Sequence, residues 1–306
     1  MATFALYNYE FELSLPMYDE KDIFDGKRPS EIAKESFAKK QDVFGKLLQD
    51  DYQDNSTLKY KSKKGKDYKH KWLAQPADGI YIFRLLSDHK RKVHDEDLKA
   101  SSVDDYSGCR VIFDNREGIQ RLAIEMNTKA FRNLSQSEDI LARGINNYLE
   151  KEFFIKIRLE HLLTAAKFWE IVHDKLSYPK GFKQLSLYLP PVNLERLSKH
   201  LDKILSEARQ HLGSDSKLVY KAPPGTVLNL DDKDEWTHQM VEDMSEVGGD
   251  ATMTLNPFDG KKVVVNKNNY RAISISDSSL DGIENGTPNL FGSGMDEVKA
   301  KLKAGI

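Results

Sequence analysis

A mixed α+β fold of the α/β class, built in two parts, is what the 306-residue sequence predicts, and three observations carry that expectation. Residues 2–13 alternate apolar and polar side chains with the two-residue period of a half-buried strand. Residues 108–126 read as two apolar strands around a glycine-bearing turn, a strong β-hairpin. Beyond about residue 150, short strands alternate with helices of ten or more residues, the pattern of helices layered on a sheet. The expected organisation is an N-terminal sheet-and-helix domain over residues 1–135, a C-terminal α/β sandwich domain over 150–276, and a linker with a short C-terminal helix over 277–306. At roughly 150 residues per domain, the length accommodates both.

In the first strand Ala5, Tyr7, Tyr9, Phe11 and Leu13 share one face, with Asn8, Glu10 and Glu12 on much of the other. After a turn at Asp25-Gly26, Pro29-Ser30-Glu31 opens a helical run in which Ile32, Ala33, Phe37, Phe44, Leu47 and Leu48 recur at three- and four-residue spacing, predicting one amphipathic helix of about five turns. A strand near Leu58, a Lys-rich segment over 59–71 and a strand over Gly79–Leu86 follow. The hairpin then joins Cys109–Phe113 to Ile119–Met126 through Asp114–Gly118, with Gly118 where a left-handed conformation is wanted.

The second half reads as helix Ser137–Lys151, strand Phe153–Leu159, helix Thr164–Leu176, strand Phe182–Leu189 and a long helix Pro191–Leu212 ending at Gly213. Strand Lys217–Lys221, helix Asp231–Val247 and strands Ala251–Leu255, Lys262–Val265 and Tyr270–Ser276 complete it. Asn285–Gly294 is a linker by composition, and Met295–Lys303 forms two helical turns carrying Val298 and Leu302, free to dock on its own domain or on a partner protein.

The bulk composition excludes several classes. No run approaches the roughly 18 to 20 apolar residues of a membrane helix, and no basic segment precedes an apolar one at the start, so a cytoplasmic protein with no membrane partner is expected. Cys109, the single cysteine, rules out intramolecular disulfides, Cys-rich zinc frameworks and CxxC redox motifs, and its apolar run Gly108–Phe113 reads as a strand. The eight histidines show no HxH or HExxH spacing, and phosphate-loop, dinucleotide and nucleophile-elbow motifs are absent. No metal and no cofactor are expected.

Charge, though nearly balanced at 46 Lys+Arg against 48 Asp+Glu, is unevenly spread. Lys59, Lys61, Lys63, Lys64, Lys66, Lys69 and Lys71 against Asp67 give +6 within residues 59–71, interleaved with Tyr60, Tyr68 and Trp72. Lysine neutralises phosphates while planar rings stack on bases, so the seven Lys read as phosphate contacts and the three rings as stacking groups. Arg84 and a basic turn, Lys90-Arg91-Lys92, extend the cluster. A solvated loop is the competing reading of such a run. Residues 225–260 carry nine acidic side chains and one Lys, net −8, an acidic surface that would complement the basic segment of another copy.

An enzymatic alternative rests on Asp114 and Glu125 at the ends of adjoining strands with Lys129 nearby, the residue types of a divalent-metal-dependent nuclease. Asn127 stands where the nuclease pattern wants its Lys.

The order of strand Gly79–Leu86, basic turn, acidic helix Asp95–Leu98 and hairpin Gly108–Met126, then Phe168-Trp169, the Ser186–Pro191 strand and a basic helix, resembles the sensor proteins of Rex-type phage-exclusion systems and other bacterial proteins encoded near anti-phage genes. The resemblance covers most of the chain by element order and implies a dimeric, sequence-tolerant DNA binder whose partner performs the damaging step. It supplies no catalytic residues. The expectation is therefore a non-enzymatic protein that binds DNA or RNA, a homo-oligomer, acting as sensor or adaptor in phage defence or regulation, with a protein–protein module at the C-terminal helix as a third reading.

Overall fold

The alternation in residues 2–13 builds strand β1 (Ala2–Leu13), which lies inside a sheet rather than at its edge, and both its faces are covered: Phe4 through Tyr9 are all buried. A computed structural model describes residues 1–14, 24, 26–94, 100–189, 216–247, 250–286 and 288–303, with the side chains of 88–94, 100–106 and 288–290 outside that description. Among the described residues, seven helices and twelve strands form two sheets, a mixed α+β fold. The chain divides into two compact units, Met1–Leu159 with Ala272–Ala304, and Glu160–Arg271.

In the first unit β1 is followed by helices α1 (Pro29–Ala38) and α2 (Lys40–Asp54), then β2 (Tyr60–Lys61), β3 (Asp67–Trp72), β4 (Ile80–His94), β5 (Ala100–Asp114), β6 (Arg121–Glu125), α3 (Leu134–Phe153) and β7 (Ile155–His161). The five-turn helix expected from Pro29 is two helices: Lys39, at φ −114° and ψ 27°, leaves the helical region and redirects the chain, so that Phe44, Leu47 and Leu48 bury on the sheet. Leu58 is buried as its pattern suggests, without forming a strand. The antiparallel registers Tyr7↔Leu122, Phe113↔Leu122, Phe83↔Val111 and Trp72↔Phe83 carry one face of side chains across five strands. On that face Phe44 of α2 meets Tyr9 and Phe113, each with ring centroids 5.3 Å apart. Each fully buried ring of this kind stabilises the fold by about 2 kcal/mol through removal of apolar surface from water.

The second unit contains α4 (Ala165–His173), β8 (Phe182–Leu189), β9 (Ser216–Lys221), α5 (Glu235–Val247), β10 (Thr252–Pro257) and β11 (Val263–Val265). Its four strands run in the order β11–β10–β8–β9, all antiparallel. One face of this sheet, with Leu185, Leu187, Met253 and Leu255, packs beneath Phe168 and Val172 of α4 and Met240, Val241 and Met244 of α5. The expected helices Asp95–Leu98 and Pro191–Leu212 lie outside the described residues.

The chain then returns to the first unit. Strand β12 (Ala272–Ile275) pairs with β1, Ala2↔Ile275 through Ala5↔Ala272, and β7 also pairs with β1. The two outermost strands expected in the C-terminal sheet thus belong to the sheet of β1. Helices α6 (Asp277–Glu284) and α7 (Pro288–Lys303) end the fold. The linker expected over Asn285–Gly294 is largely helix: Pro288 sits where a proline costs no hydrogen bond. Gly294 is a close-packing position, since a Cβ there would stand 2.7 Å from the carbonyl oxygen of Ser279.

Candidate nucleic-acid interface

The Lys-rich segment folds as a β-hairpin of β2 and β3, with Tyr60 opposite Tyr68 and Lys61 opposite Asp67. Its turn closes through Ser62, whose N–H donates to the Lys66 carbonyl at 2.9 Å and whose hydroxyl accepts from the Lys66 N–H at 3.1 Å. Gly65, at φ +80°, occupies the left-handed conformation that this turn requires. Strand period two then sorts the side chains. Lys69 and Lys71 are exposed on one face of β3, while Tyr68, His70 and Trp72 turn toward the interior on the other.

Asp51 roots the hairpin. This fully buried carboxylate on α2 accepts hydrogen bonds from the Leu58 N–H at 2.7 Å and the Trp72 indole at 3.0 Å, and pairs with His70 Nε2 at 2.6 Å. Sequence reasoning missed Asp51, although a signal existed: it stands at the i+7 position of the apolar stripe Phe44, Leu47, Leu48, where a charge has no business unless it is satisfied. Tyr60 lies between His70 and Phe83, with ring centroids at 5.1 and 6.0 Å, and burial pushes its phenol well above the ordinary range, helped by the charge of Asp51. Gly144 of α3 makes room for it, because a Cβ there would come within 2.4 Å of the Tyr60 ring.

The structure therefore corrects part of the expected site. Tyr60 is a core residue, 1% exposed, and offers no face to a base. Trp72 is half-buried, with its ring against Phe83 and Tyr52 and its indole N–H committed to Asp51. Tyr68 keeps partial exposure, with Lys66 Nζ 5.3 Å from its ring centroid. Lys59, Lys61, Lys63, Lys64, Lys66, Lys69 and Lys71 are all exposed. Lys61 reaches Asp67 at 3.2 Å and Lys63 reaches Asp139 at 3.8 Å, surface contacts that hold a side chain weakly. A pocket of about 290 Å³ beside the hairpin is lined by Asn55 and Ser56 after α2 together with Lys59, Tyr68 and Lys69.

Arg84 stands opposite Lys71 on one side and Arg110 on the other, a row of three cations across β3, β4 and β5. It is not free for phosphate: Glu284 at the end of α6 takes both Arg84, at 2.9 Å to each oxygen, and Arg110. Lys90-Arg91-Lys92, expected in a turn, belongs to β4, opposite Asp104, Val103 and Ser102, and its side chains lie outside the description.

The nuclease constellation does not assemble. Asp114 is fully buried, and the Arg116 guanidinium binds both its oxygens at 2.9 and 2.6 Å. Glu125 accepts from the Arg110 backbone at 2.9 Å and its guanidinium at 3.0 Å. Asp114 faces Arg121, so Glu125 lies four residues along β6, about 13 Å away, too far to share an ion. Lys129 is exposed in the turn that follows. Among the described residues no group of three His, Cys, Asp or Glu side chains could hold a metal. Cys109 is buried, which raises its thiol far above the ordinary range.

The acidic stretch is mostly spent within the second unit. Asp234 caps α5 by accepting from the Thr237 N–H and hydroxyl at 2.8 and 2.6 Å, Glu242 and Glu246 hold Arg271, Asp250 pairs with Lys267, and Asp259 pairs with Lys180. Asp243 is buried. The expected surface for a second copy is thus largely neutralised. At the C-terminus, Met295, Val298 and Leu302 of α7 are buried within the first unit, so the apolar stripe expected to meet a partner is already covered. No helix among the described residues is long and apolar enough to cross a membrane. No family model, no curated protein and no solved structure matches the chain.

Proposed function

We propose that this protein binds nucleic acid without reading its sequence, gripping the phosphodiester backbone with the β2–β3 hairpin. The observation that carries the proposal is the construction of that hairpin: seven exposed lysines, three on the strands (Lys61, Lys69, Lys71) and the rest in its turn or beside its strands, on a strand pair whose other face is anchored through Asp51 and Tyr60. The rooted strands hold Lys61, Lys69 and Lys71 at fixed spacing and close the turn that carries Lys63, Lys64 and Lys66, so less entropy is lost on ordering them than in a loose loop. Lysines that neutralise phosphates bind by releasing counterions, which is strong, salt-sensitive and indifferent to base identity. Tyr68, which lines the adjoining pocket with Lys59 and Lys69, offers a ring to a sugar or base near ammonium groups for the flanking phosphates. The resemblance in element order supports duplex DNA as the ligand and a sensor or adaptor role in phage defence, in which the bound protein hands its signal to an effector.

The test is a gel-retardation and fluorescence-anisotropy titration of a labelled duplex. For four or five neutralised phosphates the log–log dependence of affinity on salt should have a slope of about −4. Replacing Lys63, Lys64, Lys66 and Lys69 together with Glu is expected to abolish retardation and flatten that slope, with the melting temperature shifted by only a few degrees because all four side chains are exposed. Wild-type protein that fails to retard any duplex at low salt would overturn the proposal.

A further inference from the structure

We propose that the face of the four-stranded sheet turned away from α4 and α5 in the second unit is a binding site for single-stranded nucleic acid, separate from the hairpin. Helices α4 and α5 cover one face of that sheet, and the strand registers decide what lies on the other. Gln184, Ser186 and Tyr188 of β8 stand opposite Asn256, Thr254 and Thr252 of β10. Antiparallel sheets commonly have one wet face, and such a face ordinarily mixes both signs of charge. Among the described residues of this face the charged side chains are lysines alone. Lys217 stands opposite Tyr188 and Lys221 opposite Gln184 on the β9 rim, and Lys262 lies at the β11 rim.

The lysines on this face are also unengaged. The carboxylates in the neighbouring loops are taken elsewhere, Asp259 by Lys180 at 2.7 Å and Asp250 by Lys267 at 3.1 Å. Among the described residues Lys217, Lys221 and Lys262 make no ion pair, in a chain whose net charge is −2. A shallow cavity of about 320 Å³ opens between these rims. Val219 and Val264, on the same face, are 43% and 36% exposed, so among the described residues both rims of the face are open, while Ser186 at its centre is buried between its neighbours.

Charge complementarity selects a polyanion. The width of the face, spanning four strands, selects an extended ligand over a compact one. Lys217 and Lys221, four residues apart on one side of β9, are about 13 Å from each other, a spacing that two separate phosphates can meet at once. Opposite Lys217, Tyr188 supplies a half-buried ring, and Gln184 of β8 with Thr252, Thr254 and Asn256 of β10 supply donors and acceptors for unpaired base edges. A duplex hides those edges. A single strand splayed on the sheet exposes them, together with its stacking faces.

The experiment uses the full chain with the hairpin already disabled by Lys63→Glu, Lys64→Glu, Lys66→Glu and Lys69→Glu, so that the two sites are read apart. This protein is titrated with a fluorescein-labelled oligothymidylate by anisotropy. The expected result is retained single-strand binding. Adding Lys217→Glu, Lys221→Glu and Lys262→Glu should weaken it by at least about tenfold and make the salt slope shallower by about 2, from roughly 0.7 for each of three lost phosphate contacts. In the reciprocal arm, the same three substitutions in the otherwise native chain should leave duplex binding by the hairpin unchanged. Single-strand affinity and slope that are indifferent to the three sheet-face substitutions, or absent once the hairpin is disabled, would overturn the inference. Loss of duplex binding on the three sheet-face substitutions, with the hairpin native, would equally overturn it, since the two sites would then not be separate. All three lysines are exposed, so a near-native melting temperature verifies that the variant is folded.

Discussion

Asp51 is the residue on which the proposed interface depends, although it touches no solvent. Three donors from two segments converge on it, the Leu58 N–H, the Trp72 indole and the His70 ring. Removing a buried acceptor leaves each donor without the water it gave up on folding, and that desolvation cost is what truncation exposes. Asp51→Ala is therefore expected to lower stability by about 3 kcal/mol in urea unfolding and to loosen the hairpin, with duplex affinity falling although no lysine has changed. Unchanged stability in this variant would mean that the hairpin is rooted by packing alone. The apolar periodicity Phe44, Leu47, Leu48 was legible in the sequence, and Asp51 continues it. What it would accept was not legible, because His70 and Trp72 arrive from 19 and 21 residues away.

Elements show how alternation can be read once the pairing is known. Residues 67–72 alternate Asp, Tyr, Lys, His, Lys, Trp with period two, which already separates lysines from rings. Taken as a charged run, the same residues look like a flexible segment with aromatics available on all sides. Paired to β4 they form a half-buried strand, and two of the three rings lose most or all of their role in stacking. The C-terminal helices follow the same logic. Glycines at 292 and 294 suggest a linker by composition, yet both lie in α7, and Gly294 permits close packing against α6. The two helices are tied by Glu297, whose carboxylate accepts from the Ser279 hydroxyl at 2.5 Å and from the Ser276 hydroxyl and N–H at 2.7 and 3.0 Å. These donors hold the Glu297 carboxyl below its ordinary value of 4.5. A carboxyl depressed in the folded state contributes stability that is complete above that ordinary value and is lost as pH falls through the lower folded value. The melting temperature of Glu297→Gln should therefore lie below wild type near neutral pH, and the gap should close as the pH is taken from about 5 to about 3. A gap that is constant across that range would show that the charged form plays no part.

At the scale of the whole molecule, the second unit is inserted between β7 and β12, both of which pair with β1. It has its own core, from Leu163 through Val265, closed by α4 and α5 on one sheet. A region with a complete core is expected to fold without the rest of the chain. Residues 160–271 expressed alone should show a cooperative thermal transition and a near-UV signal from Trp169 and Trp236. A fragment with no such transition would mean that its ends must be held by the first unit. Net charge is also a property of the whole, and its small value of −2 conceals segregation: lysines are exposed on the hairpin and on the open sheet face, while acidic groups are consumed by caps and internal ion pairs. The sequence by itself determined the mixed α+β class, most of the strands and helices of the second unit, the central β-hairpin and the exposure of the lysines, because period and charge are local properties of a chain. Only the tertiary structure decided that β7 and β12 complete the first sheet, that Tyr60 belongs to the core, that Arg84 answers to Glu284, and that Asp114 and Glu125 stand apart. Each of these depends on which distant segments pair and in what register, and a register shift of one residue exchanges the two faces of a strand without altering its sequence.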